Sequence, residues 1–429
     1  MLLVAFALLL VLVAAALHIG AVLGVMGAAL AYLYSPFPVL RALGELAWSS
    51  SSDFVLLAVP LFIMMGELLL RSGVTESMYD ALDKWVGHVP GGLMHTNVAA
   101  SAIFAATSGS SIATAATIGT VAIPNMRRYG YNPALFLGSI AAGGTLGILI
   151  PPSINMVLYG SLSETAVSDL YLAAFIPGFL LAAFFSAIIY VLCIIRPGLG
   201  GRSERASMGA RLRSLVHLLP PVGLFFVVVG SIYLGIATPT EAASLGVIAT
   251  LGLTLWRRRL SVDVLLRTFE GTARTTSMVM LIVVAALFLN FVLSTIGLTD
   301  TVVDSVRRLA WPPLAVMLAI IGLYLILGCF VETLTLMIAT TPIIVPVVKS
   351  LGYSPIWFGV VFVILIEAAL ITPPIGMNLF VVQAIRGNGP FRDVAIGSLP
   401  FLLMMLAMIG CLLAFPDLAL LLPRKFSTQ

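Results

Sequence analysis

The chain has 429 residues, of which 60% are hydrophobic and 9% are Asp, Glu, Lys or Arg, against the roughly 25% charge of a soluble domain. Apolar runs of about 17–25 residues recur along the whole length, which excludes a soluble enzyme and leaves no soluble domain of useful size; a polytopic α-helical membrane protein is indicated, without the strict polar alternation that β-barrel spans require. The formal net charge of +4 comes from basic residues in short loops, as membrane topology requires, and does not point to nucleic acid.

In chain order, membrane-embedded segments are predicted at about 2–17, 19–34, 53–70, 93–125, 133–160 and 170–195, and a second set at about 217–236, 240–256, 276–295, 312–348, 355–386 and 395–416. The first segment lacks the basic region of a secretory signal, because no Lys or Arg precedes Arg41. Residues 74–88 are amphipathic and read equally well as an interfacial helix or an ordinary loop helix. Residues 93–125 are too long for one crossing and are interrupted by Thr107-Ser108-Gly109-Ser110-Ser111. This pattern predicts a re-entrant helical hairpin whose tip stops inside the membrane; its counterpart is 312–348, interrupted near Gly328 and Glu332-Thr333.

Segments 133–160 and 355–386 each contain a Pro-Pro pair. Two successive prolines remove two backbone donors and clash with the preceding turn, so each helix is expected to break there. Such a break survives at membrane depth only where it is buried or lines a polar cavity.

These features occur twice. Gly130-Tyr131-Asn132-Pro133 is followed after seventeen residues by Pro151-Pro152, and Gly352-Tyr353-Ser354-Pro355 after the same seventeen by Pro373-Pro374. Every matched position is offset by 222, as are Phe136 with Phe358 and Pro124 with Pro346. Gly73-Val74-Thr75-Glu76 matches Gly297-Leu298-Thr299-Asp300 at an offset of 224. The expected organisation is a first repeat at 1–200, a basic cytoplasmic linker at 201–214 and a second repeat at 215–429. With the N-terminus outside and the hairpins entering from opposite faces, 16 of the 22 basic residues fall on the cytoplasmic side, as the positive-inside rule favours. That orientation makes the repeats inverted.

Several groups of residues could carry chemistry. The tip Ser108-Gly109-Ser110-Ser111 offers hydroxyls and carbonyls, the hard oxygen ligands that a small dehydrated cation needs; close helix packing through small residues is the alternative. At the first break, Pro151 and Pro152 cannot donate to residues 147 and 148, so free carbonyls are expected there, with Thr145 beside them. The half-helix after each break presents free N–H groups that suit a carboxylate; a mere kink is the other reading. Asn155 and Asn378 lie just beyond the two breaks.

Glu67, Glu241, Glu332 and Glu367 lie in apolar surroundings, where a charge costs at least ~2.5–3.5 kcal/mol. Each is therefore expected to be paired, protonated or in a wet cavity. Glu67 and Glu241 read as structural or helix-end groups. Glu332 and Glu367, near the second tip and second break, are candidates for coupling or gating. The three cysteines, Cys193, Cys329 and Cys411, read as packing residues, and the four histidines are scattered. No nucleophile–His–acid spacing, phosphate loop or metal cluster points to an enzyme.

Together, Val59-Pro60-Leu61-Phe62-Ile63, Gly66-Glu67-Leu68, Ser108-Gly109-Ser110-Ser111, the run Gly143 to Ser153, Thr238-Pro239-Thr240-Glu241-Ala242-Ala243 and Thr372-Pro373-Pro374-Ile375-Gly376 resemble the large membrane subunit of tripartite ATP-independent periplasmic (TRAP) transporters, the DctM type. The resemblance covers essentially the whole chain. It implies an ion-transporter-superfamily fold with a scaffold and a mobile, elevator-type transport domain. It also implies sodium-driven uptake of small organic anions such as C4-dicarboxylates, keto acids or sialic acid in the bacterial inner membrane. The implied partners are a small four-helix membrane subunit on a separate chain and a periplasmic substrate-binding protein.

Two or more sodium ions are implied, the first held around Ser108, Gly109, Ser110, Gly144, Thr145 and Pro151, the second around Gly328, Thr372 and Pro373. The substrate anion is expected near Ser111, Ser153, Asn155, Gly376 and Asn378. A stand-alone anion–cation symporter of the same superfamily, needing no binding protein, is the alternative within transport; a channel or structural membrane scaffold is the alternative outside it.

Overall fold

The computed structural model describes residues 17–201 and 205–426, together with residues 4, 5, 7, 8, 11, 12 and 15. The predicted segment at 2–17 thus lies largely outside the described residues, as do residues 202–204 of the linker. The described chain is all-helical, with no strand.

The first half contains α1 (Ile19–Tyr34), α2 (Leu43–Ser51), α3 (Ala58–Arg71), α4 (Val74–Val86), α5 (Leu93–Ser108), α6 (Ser111–Arg128), α7 (Pro133–Leu149), α8 (Ile154–Ser163) and α9 (Val167–Ile195). A short linker helix, α10 (Met208–Ser214), leads to α11 (Leu219–Phe225), which continues through a π-helical turn at Phe226–Gly230. The second half continues with α12 (Pro239–Trp256), α13 (Val262–Thr295), α14 (Leu298–Arg308), α15 (Pro313–Gly328), α16 (Thr333–Ser350), α17 (Pro355–Leu370), α18 (Met377–Arg386), α19 (Phe391–Ala414) and α20 (Asp417–Phe426).

Local chemistry explains the boundaries. Pro opens α7, α12, α15 and α17 in the first turn, where its missing N–H is not needed. Asn132, Ser153 and Ser261 cap α7, α8 and α13 by accepting a first-turn N–H. Gly73 and Gly297, both left-handed at φ near +70°, turn the chain into the amphipathic helices α4 and α14. The α3–α4 elbow bends by 71° and α7–α8 by 43°.

Both predicted hairpins and both proline-broken helices are present. The second arms, α6 and α16, start 222 residues apart, as do α7 and α17. Pro151-Pro152 and Pro373-Pro374 are both cis. A 16-residue helix rises only about 24 Å, short of a ~30 Å hydrocarbon core, so neither α5 nor α15 is long enough to cross it.

Two expectations needed revision. The basic stretch 257–274, which lies between the predicted segments 240–256 and 276–295, is mostly helix, because Ser261 caps α13 and Asp263 pairs with Arg267 one turn on. The helix runs 34 residues without interruption to Thr295, about 51 Å at 1.5 Å per residue, longer than a ~30 Å hydrocarbon core. Residues 35–52, between the predicted segments 19–34 and 53–70, contain α2, and α20, which lies beyond the last predicted segment, packs against α9.

The helices pack as two sets. In one, α13 lies against α1 and α3, and α12 against α3; Gly27 lets Phe288 approach and Gly246 lets Met65 approach. In the other, α7 and α17 are the innermost elements, with every residue of Leu135–Leu149 and Trp357–Leu370 buried. Gly138 on α7 meets Gly397 on α19, and only backbones without Cβ atoms fit so closely. A buried polar chain pins the first hairpin arm: Tyr79 donates to Asn97 (2.6 Å), and Asn97 donates to Ser139 of α7 (2.9 Å). The sets meet where Gly66 of α3 lies against the Ser108 backbone; a Cβ there would sit 3.1 Å from the Ser108 carbonyl oxygen.

Candidate functional site: two hairpin tips on two broken helices

The first tip reverses the chain in two residues. Gly109, left-handed at φ +61°, closes α5 with its N–H on the Ala105 carbonyl. Ser110 is extended and caps α6, accepting from the Ala113 N–H at 3.4 Å. Thr114 Oγ1 donates to the Ser110 carbonyl (2.7 Å), so the 2.9 Å contact between Ser108 Oγ and Thr114 Oγ1 is donated by Ser108. Ser108, the Ser110 carbonyl and Thr114 thus form a compact set of oxygens. Thr114 was not singled out from the sequence, although its place four residues after a cap, on the same helix face, signals it.

The first broken helix touches this tip because it has no side chains there. A Cβ on Gly147 would lie 2.6 Å from the Ser110 carbonyl oxygen, and one on Gly144 2.6 Å from the Ala115 Cβ. Gly109 in turn lies against the Pro152 carbonyl. The structure therefore brings Ser108, Gly109, Ser110, Gly144 and the Pro151-Pro152 break together. Thr145, fully buried on the same turn of α7, donates to the Ala142 carbonyl (2.7 Å) and keeps its lone pairs. One expectation is corrected: the Ile148 carbonyl is not free, because Ser153 Oγ donates to it at 2.5 Å. The same hydroxyl caps α8 by accepting from the Met156 N–H, so Ser153 holds the break in shape. Ser111 and Asn155 are buried in the first turns of α6 and α8.

The second tip is built differently. Gly328 ends α15 against Ala369 of α17, and the Cys329 carbonyl accepts from the Ile375 N–H (3.3 Å), tying tip to break. Glu332 is the N-cap of α16: its carboxylate accepts from the N–H groups of Leu334 (3.0 Å) and Thr335 (2.9 Å) and from the Thr333 hydroxyl (3.1 Å). Its negative charge also suits the positive end of the helix dipole. Thr372 Oγ1 donates to the Ala368 carbonyl, Pro373 is half-buried, and Gly376 takes φ +49° to start α18. Between tip and break lies a cavity of about 10 Å³, lined by Gly328, Glu332, Thr333, Ala369, Ile375 and Gly376, room for about one water.

Asn378 links the halves. It is fully buried, donates from Nδ2 to the Ala141 carbonyl of α7 at 3.1 Å, and leaves its own Oδ1 without a donor. Glu367 is also fully buried, and neither carboxyl oxygen has a hydrogen-bond partner among the described residues. The other two acids have structural places: Glu67 pairs with Arg71 one turn along α3, and Glu241 completes a capping box with Thr238. Glu332 has such a place too, which gives a test. Glu332→Ala should destabilise the protein by about 0.5–2 kcal/mol, whereas Glu332→Asn, which also caps, should restore most of that loss in a thermal-unfolding assay.

A further opening was not legible in the sequence. A crevice of about 320 Å³ separates the ends of α8 and α16 from α13 and α14, with Ser163, Asn290, Ser294, Asp300, Thr341 and Lys349 among its walls. Its residues lie up to 187 positions apart (Leu162 to Lys349), a distance that only the tertiary fold bridges.

Two helices broken at Pro-Pro, each held against a hairpin tip, organise this chain from residue 93 onward. A family model described as "Tripartite ATP-independent periplasmic transporter, DctM component" matches residues 6–418. The chain belongs to this family. It is 34% identical over 404 residues to the C4-dicarboxylate TRAP transporter large permease protein DctM of Pseudomonas aeruginosa, covering 94% of this chain and 93% of that protein. It is 33% identical over 377 residues to the sialic acid TRAP transporter large permease protein SiaM of Vibrio cholerae, covering 87% of each. The crystal structure of the Alcanivorax borkumensis YdaH transporter shares the fold, with a TM-score of 0.67 at 16% identity over 96% of this chain and 99% of that one. This DctM-family chain is thus a multi-pass membrane permease component of a TRAP transporter, and its relatives are transporter subunits rather than enzymes.

Proposed function

We propose that this chain is the large permease of a sodium-coupled TRAP transporter that imports small organic anions across the bacterial inner membrane. A periplasmic binding protein delivers the anion, and a small four-helix membrane subunit on a separate chain completes the complex. The reading rests above all on the first tip, where the oxygens of Ser108, Ser110 and Thr114 gather against the bare Gly144–Gly147 surface of α7. Hydroxyl and carbonyl oxygens are the donor set that a hard monovalent cation takes. Ser108, the Ser110 carbonyl and Thr145 would hold one sodium ion, and Thr372 with the carbonyls around Gly328 and Pro373 a second.

Bound cations and the N-termini of the half-helices α8 and α18 offset the charge of a carboxylate near Asn155, Gly376 and Asn378. The substrates for which both relatives are named, C4-dicarboxylates and sialic acid, are carboxylates, which supports that substrate class. The basic-residue bias supports an inverted pair of halves at 1–200 and 215–429. Packing in two sets supports an elevator in which α5–α9 and α15–α20 move against α3 and α13.

Uptake is to be measured in proteoliposomes containing this chain, the small subunit and the binding protein. Removing the sodium gradient should reduce accumulation to the level of empty vesicles. Undiminished accumulation would overturn sodium coupling, and uptake by this chain alone would favour a stand-alone symporter.

A further inference from the structure

Glu367 is the one acid at the core of the broken helices that no part of this reading uses. It lies twelve residues beyond Pro355 in α17, about 18 Å along the helix axis, on a helix whose residues Trp357–Leu370 are all buried. It is 0% exposed and neither oxygen has a hydrogen-bond partner among the described residues. An ionised carboxylate held this way faces several kcal/mol of uncompensated desolvation. A proton on one oxygen removes that cost.

The surroundings offer no other compensation. The elements packed on α17 are α7, α8, α9, α15, α16, α18, α19 and α20. Helix α7 has no titratable side chain. The phenols of Tyr159 (α8), Tyr171 (α9) and Tyr324 (α15) donate to the Pro355 carbonyl, the Ser153 carbonyl and the Thr340 hydroxyl. On α9, Asp169 is in the first turn, and Tyr190 and Cys193 lie in the last two. The charged groups of the remaining elements sit at helix ends: Glu332 and Lys349 on α16, Arg386 on α18, Arg392 and Asp393 on α19, and Asp417, Arg424 and Lys425 on α20. Arg386 is already paired with Asp393, and Arg424 with Asp417. Cys411 is near the end of α19.

The internal repeat argues that this acid is more than a packing group. At the 222-residue offset Glu367 occupies the position of Thr145, six residues before its Pro-Pro pair just as Thr145 is before its own. A hydroxyl thus suffices for the fold at this place in the first half, and the second half carries a group that can release a proton. The water-sized cavity under the second tip begins at Ala369 and Leu370, two and three residues further along α17.

We propose that Glu367 is a proton site, and that the permease moves one proton with each substrate anion, carried as the Glu367 carboxylic acid and released to the opposite face as the helix set moves. The inference rests on the permease reading above but not on sodium. In proteoliposomes with both partner proteins, adding a carboxylate substrate should acidify the lumen in step with uptake. Glu367→Gln, which keeps the shape of the neutral acid, should abolish that proton movement and make any residual uptake insensitive to a pH gradient. Wild-type uptake without lumen acidification, or acidification that survives in Glu367→Gln, would overturn the proposal.

A second readout needs no turnover. The infrared carbonyl stretch of a protonated carboxylic acid should be present in the purified wild-type chain at neutral pH, absent from Glu367→Gln, and lost reversibly as pH is raised. A band missing from the wild type, unchanged in Glu367→Gln, or persisting until the protein unfolds would equally overturn it. If sodium proves unnecessary while these results hold, the sodium reading alone fails.

Discussion

Gly147→Ala should all but abolish uptake while leaving a folded protein, an effect out of proportion to one added methyl group. The new Cβ would lie 2.6 Å from the Ser110 carbonyl oxygen, well inside van der Waals contact. The neighbour is backbone, so no flexible side chain can swing aside, and either α7 or the hairpin tip must move. Overpacking of this kind costs about 1–3 kcal/mol, and here the displacement falls on the Ser110 carbonyl proposed to bind sodium. A shift of a few tenths of an ångström in one ligand, with α7 as a rigid buried wall behind it, should weaken sodium binding tenfold or more, equivalent to ~1.4 kcal/mol. Gly322→Ala is the matched control: Gly322 also lies within a membrane helix, but a Cβ there meets nothing within 4 Å. Sodium-dependent thermal stabilisation of the purified chain and uptake in proteoliposomes should both fall for Gly147→Ala and hold for Gly322→Ala. Equal behaviour of the two variants would show that the α7–tip contact has no role in ion binding.

The difference between these glycines marks what could be read from the sequence. The Pro-Pro pairs, the Ser-Gly-Ser-Ser tip and the 222-residue offset are local or periodic signals, and the chain forms the predicted hairpins and breaks at those places. Sequence pointed to Gly109 and Gly144 but could not tell that Gly147, among the 38 glycines, also bears on the tip. That depends on how α7 rotates against α6, and α7 is apolar apart from Ser139 and Thr145, too few to mark a polar face that sets its rotation. Asn97, Thr114 and the crevice at Lys349 were missed for a related reason: each acquires its role from partners on other elements.

Glu332 and Glu367 show the same limit. Both are acids in apolar runs near the second site, and sequence reasoning grouped them. The structure separates them: three donors hold Glu332 at the start of α16, and none reaches Glu367. The helix 262–295 was cut short for a different reason. Its first turns carry the charges that normally mark a loop, but Ser261 and the Asp263–Arg267 pair make them a solvated helix extension.

Replacing both Pro151 and Pro152 with alanine should have the second large effect, through the backbone rather than a side chain. The two alanines would supply N–H groups able to reach the carbonyls of Gly147 and Ile148, continuing α7 toward α8. Those bonds compete with the Ser153 hydroxyl, which now donates to Ile148 at 2.5 Å. A continuous helix would straighten the 43° bend and draw the Pro152 carbonyl away from Gly109, which lies against it. The start of α8 and its first-turn N–H groups would swing away from the first hairpin tip. A more regular helix adds hydrogen bonds, so stability should hold or rise, while uptake falls by about 100-fold or more as roughly 2.8 kcal/mol of combined cation and anion binding is lost. Separate measurement of unfolding and of sodium-dependent uptake tests this opposition. A double variant that is both destabilised and inactive would mean that the break serves mainly to pack α7 and α8. Retained stability with lost uptake would place the function of the prolines in keeping the helix open at the ion and anion sites.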